Sequence, residues 1–128
     1  MEKLKRKSSY YIAYSAAMTG IFMIILFIFW KNGKSFVRDG DGLRQHYITL
    51  EYWGKCLRQI IKELLIHHRL RIPTWDLHIG FGSDIVTTLH YYVIGDPLNL
   101  CAAFVPVRYT EYLYDFLCFF RYYLAGIT

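Results

Sequence analysis

The sequence predicts an all-α membrane protein: one N-terminal transmembrane helix, an extracytoplasmic loop with an amphipathic interfacial helix and short helices, and the start of a second transmembrane helix. Three observations predict it. Tyr10 to Trp30 (YYIAYSAAMTGIFMIILFIFW) is an uncharged run of 21 residues. At 1.5 Å per residue it makes a helix about 31 Å long, enough to cross a hydrocarbon core of about 30 Å. Leu43 to His67 repeats apolar residues at helical spacing. Apolar residues make up 55% of the chain and aromatic residues 19%, with 12 tyrosines, a surplus that lipid and interface absorb better than a small soluble core.

Residues 1–9 carry Lys3, Lys5, Arg6 and Lys7 ahead of the span, which favours a cytoplasmic N-terminus by the positive-inside tendency. Lys31, Lys34, Arg38 and Arg44 follow it, but long loops are translocated largely regardless of charge. Within the span, residues 10–30, the hydroxyls of Ser15 and Thr19 and the single Gly20 are tolerable because a helix satisfies its own backbone. Tyr10, Tyr11 and Trp30 fall at the two interfaces, where amphipathic rings prefer to sit. The competing reading is a cleaved signal peptide. The apolar run is too long for that, and no small-x-small cleavage site stands at its end, just before Lys31.

Residues 31–111 are expected to form the first extracytoplasmic loop. It opens with the polar stretch KNGKSFVRDGDG, in which Asp39 and Asp41 bring carboxylates near the membrane surface. Asp41 is a natural N-cap for the interfacial helix 43–67. Trp53, Leu57, Ile60, Ile61, Leu64 and Leu65 form its apolar side and Glu51, Lys55, Arg58, Lys62 and Glu63 its polar side. A helix packed on further parts of a larger protein would read the same way.

Pro73 ends that region, and PTWDLHIGFGSDI reads as an irregular loop with glycine hinges at Gly80 and Gly82. It is no phosphate loop, since the Lys-Ser/Thr ending is missing. A short helix follows from Ile85 to Tyr92, Gly95-Asp96-Pro97 breaks it, and the apolar run Leu98 to Val107 is too short to span and is expected to dip into the interface. Residues 112–128 read as the start of a truncated second span, interrupted by Asp115 and Arg121. These two lie about 240° apart around a helix and cannot pair, so each needs another partner.

The net charge of +5 comes from scattered Lys and Arg, which points to anionic lipid headgroups as a partner and gives no support for nucleic acid. Cys56, Cys101 and Cys118 stand far apart with no C-x-x-C pair, and the five histidines show no metal-ligand spacing.

DGLRQHY (Asp41 to Tyr47) and GFGSDIVTTLHYYVIGDPLNL (Gly80 to Leu100), in order with the opening span and the Pro-x-Trp-Asp loop at residues 73–76, resemble the N-terminus of the YfhO family of bacterial membrane proteins. That family is similar to the C-type (GT-C) glycosyltransferases, multi-span proteins of the bacterial cytoplasmic membrane that take a sugar from a polyprenyl-phosphate carrier on the outer face. The resemblance implies the N-terminal part of an enzyme that glycosylates a cell-envelope polymer such as lipoteichoic acid. Members are many times longer, so the further C-terminal spans would be partners of this chain.

The resemblance also implies that an acidic residue of the first outer loop deprotonates an acceptor hydroxyl or holds a divalent cation. Asp41 is the candidate and Asp39 the reserve, and the two could share one cation. Gln45 and His46, one turn into the helix, are candidates for substrate binding, with plain solvation as the other reading. Asp84 is either a second substrate-binding acid or the N-cap of the helix from Ile85. Arg121 is a candidate for the carrier phosphate. The alternative to the enzyme is a non-catalytic membrane anchor, an assembly subunit or a lipid-transporter fragment.

Overall fold

The computed structural model describes residues 2–37 and 39–127, with side chains from residue 8 onward. The side chains of Lys3, Lys5, Arg6 and Lys7, and all of Arg38, lie outside the described residues, so the charges on which the expected orientation rests belong to the sequence alone. The chain is mostly helical and divides into two compact units, one reaching to Phe36 and resuming at Asp115, the other Val37–Tyr114.

In the first unit, helix α1 (Glu2–Lys31) has 30 residues, about 45 Å in length. Ser8–Lys31 is long and apolar enough to cross a membrane, with a mean hydropathy of 2.3 and no buried share within its apolar window. Residues 115–125 of helix α4 (Thr110–Ala125) pack along it. The rings of Phe22 and Phe119 lie 4.5 Å apart, Phe29 stacks on Phe36 at 4.3 Å, and Phe36 meets Phe119 edge-on at 4.6 Å. Toward the other end Tyr123 donates a hydrogen bond to the Ser15 hydroxyl. The pairings advance along one helix as they retreat along the other, so the two run antiparallel.

Asp115 has a place in this unit: its carboxylate accepts from the Phe36 N–H at 2.9 Å. A carboxylate in an apolar setting thereby satisfies a backbone donor past the end of α1. Helix α4 has 16 residues, about 24 Å. Among the described residues α1 alone meets the length and hydropathy of a span.

The second unit is built on helix α2 (Ile48–His67), preceded by a π-helical turn, Gly42–Tyr47. Its buried positions are Leu50, Gly54 and Cys56. They pack against the 3-10 helix Pro97–Ala103, which Asp96 caps by accepting from the Leu98 N–H. Gly54 lets the two backbones approach closely, since a Cβ there would meet the Ala102 carbonyl oxygen at 2.9 Å. Arg58, expected on the polar side, points inward instead and donates from one nitrogen to the carbonyls of Ala102 and Val105, both at 2.7 Å. The Ala102 carbonyl lies in the last turn of the 3-10 helix, short of helical partners, and the Val105 carbonyl lies just past its end. The apolar run 98–107 therefore lies partly on the chain itself: Ala102 and Asn99 are buried while Leu100 and Phe104 stay exposed.

The stretch read as an irregular loop holds a two-residue antiparallel pair, β1 (Trp75–Asp76) with β2 (Ser83–Asp84), so the fold is not strictly all-α. The reversal between them uses positive φ at Gly80 (62°) and Gly82 (104°), conformations that favour glycine. Helix α3 (Ile85–Leu89) follows, continued by a second π-helical turn, His90–Ile94. Ile85, Leu89 and Val93 are its buried residues.

Candidate functional site

Asp39 and Asp41 stand at the entrance of the second unit, both exposed. Asp41 occupies the position before the first helical turn, but its backbone is already helical (φ −63°, ψ −33°) and its side chain makes no capping bond. The expected cap is absent. Capping needs an extended residue whose side chain swings back over the first N–H groups. Asp39 accepts from the N–H of Gly40 at 2.9 Å. Both residues are open to solvent.

One turn on, Gln45 and His46 are drawn together by a residue that the sequence reading left without a role. The Tyr92 hydroxyl donates to the Gln45 side-chain oxygen at 3.0 Å, and the Tyr92 ring meets the His46 imidazole edge-on at 5.3 Å. Both sides of this contact are π-wound: Gln45 and His46 in Gly42–Tyr47, Tyr92 in His90–Ile94. Thr49 contributes to the first, its hydroxyl donating to the carbonyls of Gln45 (2.6 Å) and His46 (3.0 Å), a side-chain competition that loosens the regular ladder. π-Helical turns inside helices occur often at functional sites because they re-aim side chains at a small local cost. The signal for Tyr92 lay in the Tyr-Tyr pair, which periodicity alone does not connect to Gln45.

Asp84 is the N-cap of α3. Its backbone is extended (φ −68°, ψ 125°), and its carboxylate accepts from the Thr87 N–H (2.7 Å) and hydroxyl (2.9 Å). These bonds hold the Asp84 carboxyl below the usual carboxylate range. Arg121 lies in the other unit, half-buried on α4.

A carboxylate that the sequence reading passed over is the most strongly held. Asp76 accepts from the Tyr52 hydroxyl at 2.5 Å, from the His78 N–H at 2.8 Å, and pairs with the His78 ring nitrogen at 2.7 Å. The Tyr52 bond, followed by those of His78, holds the Asp76 carboxyl down to about 2. The Tyr52 phenol is pushed up, by burial first and then by Asp76. This cluster ties β1 to α2. An Asp two residues before the N–H it accepts from is an Asx turn, legible in Trp-Asp-Leu-His.

A divalent cation prefers six or more oxygen ligands. Among the described residues no group of three or more His, Cys, Asp and Glu could hold a metal ion. Asp39 and Asp41 are two carboxylates, and a cation shared between them would need further oxygen ligands.

No curated protein matches the chain, and no solved structure does. The family model described as "Bacterial membrane protein YfhO" matches residues 15–128, which cover the apolar part of α1, Asp39, Asp41, the Gln45–Tyr92 contact and α4. The chain belongs to the YfhO family of bacterial membrane proteins.

Proposed function

We propose that the chain is the N-terminal part of an integral membrane glycosyltransferase that moves a sugar from a polyprenyl-phosphate carrier to a cell-envelope polymer such as lipoteichoic acid. In this reading it belongs to a multi-pass protein of the bacterial cytoplasmic membrane, with the second unit outside the cytoplasm. The observation that carries the reading is the Tyr92 contact: it joins Gln45 and His46, one turn from Asp41, to the Gly80–Leu100 segment, so that the two stretches most typical of the family meet beside exposed carboxylates.

Asp41 is the general base. Its carboxylate takes the proton of the acceptor hydroxyl as that oxygen bonds to the anomeric carbon. The bond from that carbon to the carrier phosphate oxygen breaks, and the electron pair leaves with the polyprenyl phosphate. Asp39 is the reserve base. Gln45 and His46 hold a sugar hydroxyl near Asp41, with Tyr92 fixing the Gln45 amide. Asp84 acts at one remove by anchoring α3, whose continuation carries Tyr92. Arg121, in the other unit, offers a guanidinium fork to a lipid phosphate.

The test is Asp41→Asn in the full-length protein. Asp41 makes no capping bond, so the protein should reach the membrane in normal amount. Sugar transfer should fall roughly 100-fold or more, the scale of losing a positioned base. Near-normal transfer with loss in Asp39→Asn moves the role to Asp39. Near-normal transfer in both contradicts catalysis by these carboxylates and favours the non-catalytic anchor, assembly subunit or lipid-transporter fragment.

A further inference from the structure

The left-handed backbone of His68 (φ 51°) ends α2, and the chain then returns to the level of Tyr52, where Asp76 is held. Residues 69–76, at about 3.3 Å each when extended, reach about 26 Å. The distance from His68 back to Tyr52 along the helix is about 24 Å. The returning segment therefore runs nearly straight beside the helix. Between the two lies a cavity of about 350 Å³, with Gln59 and Glu63 on one wall and Arg71, Pro73, Thr74 and Trp75 on the other.

Gln59 and Glu63 are four residues apart and stand one above the other on α2. The side chains of Gln59, Glu63, Arg71 and Thr74 make no hydrogen bond or ion pair among the described residues. An amide, a carboxylate, a guanidinium and a hydroxyl thus face one small space without a protein partner among the described residues, and Gln59, Arg71 and Thr74 are open to solvent. Trp75 adds an aromatic face. The residue is 61% exposed and its indole is backed by Gly82, where a Cβ would stand 3.3 Å from the indole nitrogen. The Tyr52–Asp76 bond anchors the next residue to α2.

We propose that this cavity binds a single pyranose ring bearing an anionic group. The apolar face of the ring lies on Trp75, its hydroxyls donate to Glu63 and exchange bonds with Gln59 and Thr74, and Arg71 takes the anion in a two-pronged contact. Ligand cavities run from about 300 to 1,000 Å³, so this one suits one ring and not a longer chain. A bare anion would leave Trp75 and Gln59 unused and would be repelled by Glu63. The site shares no residue with the Asp41 region and holds a sugar whether or not Asp41 is catalytic.

Binding is measured on the full-length protein in an amine-oxide detergent, which has no sugar headgroup. The readouts are saturation-transfer NMR and tryptophan fluorescence, and the probes are methyl glucuronoside, methyl glucoside and sodium phosphate. The glucuronoside should bind saturably with a dissociation constant on the order of 1 mM, roughly tenfold tighter than the glucoside. Trp75→Ala should weaken both at least about tenfold and Trp75→Phe about threefold or less, since Phe keeps an aromatic face. Arg71→Gln should abolish the preference for the glucuronoside while leaving the glucoside unchanged, and it decides the matter should Trp75→Ala fail to fold. The proposal is overturned if neither glycoside binds saturably, if Arg71→Gln or a folded Trp75→Ala leaves every affinity unchanged, or if phosphate binds as tightly as the glucuronoside.

Discussion

Asp41 and Asp84 are the same residue type in the same position relative to a helix, and only one of them caps. The difference lies in the backbone. Asp84 is extended and lets its carboxylate reach the Thr87 N–H; Asp41 is already helical and does not. Asp84→Ala should therefore lower stability by about 1 kcal/mol and Asp84→Asn by much less, while Asp41→Ala should stay within about 0.5 kcal/mol. Thermal unfolding of the purified protein separates the three. Asp76 adds a pH signature. Its folded pKa of about 2 lies below the unfolded value of about 4. Its contribution is thus complete above about pH 4 and lost as pH falls through 2. Unfolding temperatures measured from pH 5 to 2 should fall less steeply in Asp76→Asn and Tyr52→Phe than in the wild type. Parallel profiles would contradict the assignment. The Asp84 cap was legible because Asp preceded a helical pattern with Thr at the third position. The local turn at Asp76 was legible in the same way, but its bond to Tyr52 was not, because Tyr52 stands 24 residues away in sequence.

At the scale of elements, α2 is two helices in one. Its first half buries Leu50, Gly54 and Cys56 against the 3-10 helix, while in its second half Leu64, Leu65 and Ile66 remain 46%, 70% and 58% exposed. Periodicity located the helix but could not tell a face that meets the protein from one that meets lipid, and it placed Arg58 on the wrong side. A charged residue turns inward when unsatisfied carbonyls await it, and those carbonyls come from residues more than 40 positions away. Gly54→Ala sets two effects against each other. Alanine gains about 1 kcal/mol of helix propensity, but overpacking against a backbone carbonyl costs about 1–3 kcal/mol. The clash should win, giving a lower unfolding temperature, whereas Gly20→Ala, with nothing within 4 Å of its Cβ, should not destabilise. For the second half, Ile61→Lys with Leu65→Lys should weaken binding of the segment to anionic vesicles while leaving the Arg58 and Gly54 contacts and the folded unit intact. Unchanged vesicle binding would mean that the exposed stripe meets protein.

For the whole molecule, the span was the most legible feature, because length and hydropathy of one uninterrupted run decide it without tertiary information. The order of the weak motifs gave the family, which the match over residues 15–128 bears out. The division into two units and the meeting of Gln45 with Tyr92 rest on contacts between distant residues, and no local pattern encodes those; the β pair is local but, at two residues a strand, too short for alternation to mark it. Transfer from an outer-face carrier requires the second unit to lie outside the cytoplasm, so its sidedness is the claim on which the enzyme reading stands. Cys56 is a poor reporter, being buried, with its thiol pushed up by that burial. Cys101 in the same unit is exposed. The direct measurement is labelling of Cys101 by a membrane-impermeant thiol reagent in intact cells, in full-length protein with its other cysteines replaced and with Cys101→Ser as blank. The account predicts labelling before permeabilisation at the level reached after it. Labelling that appears only after permeabilisation would place the unit in the cytoplasm and contradict it.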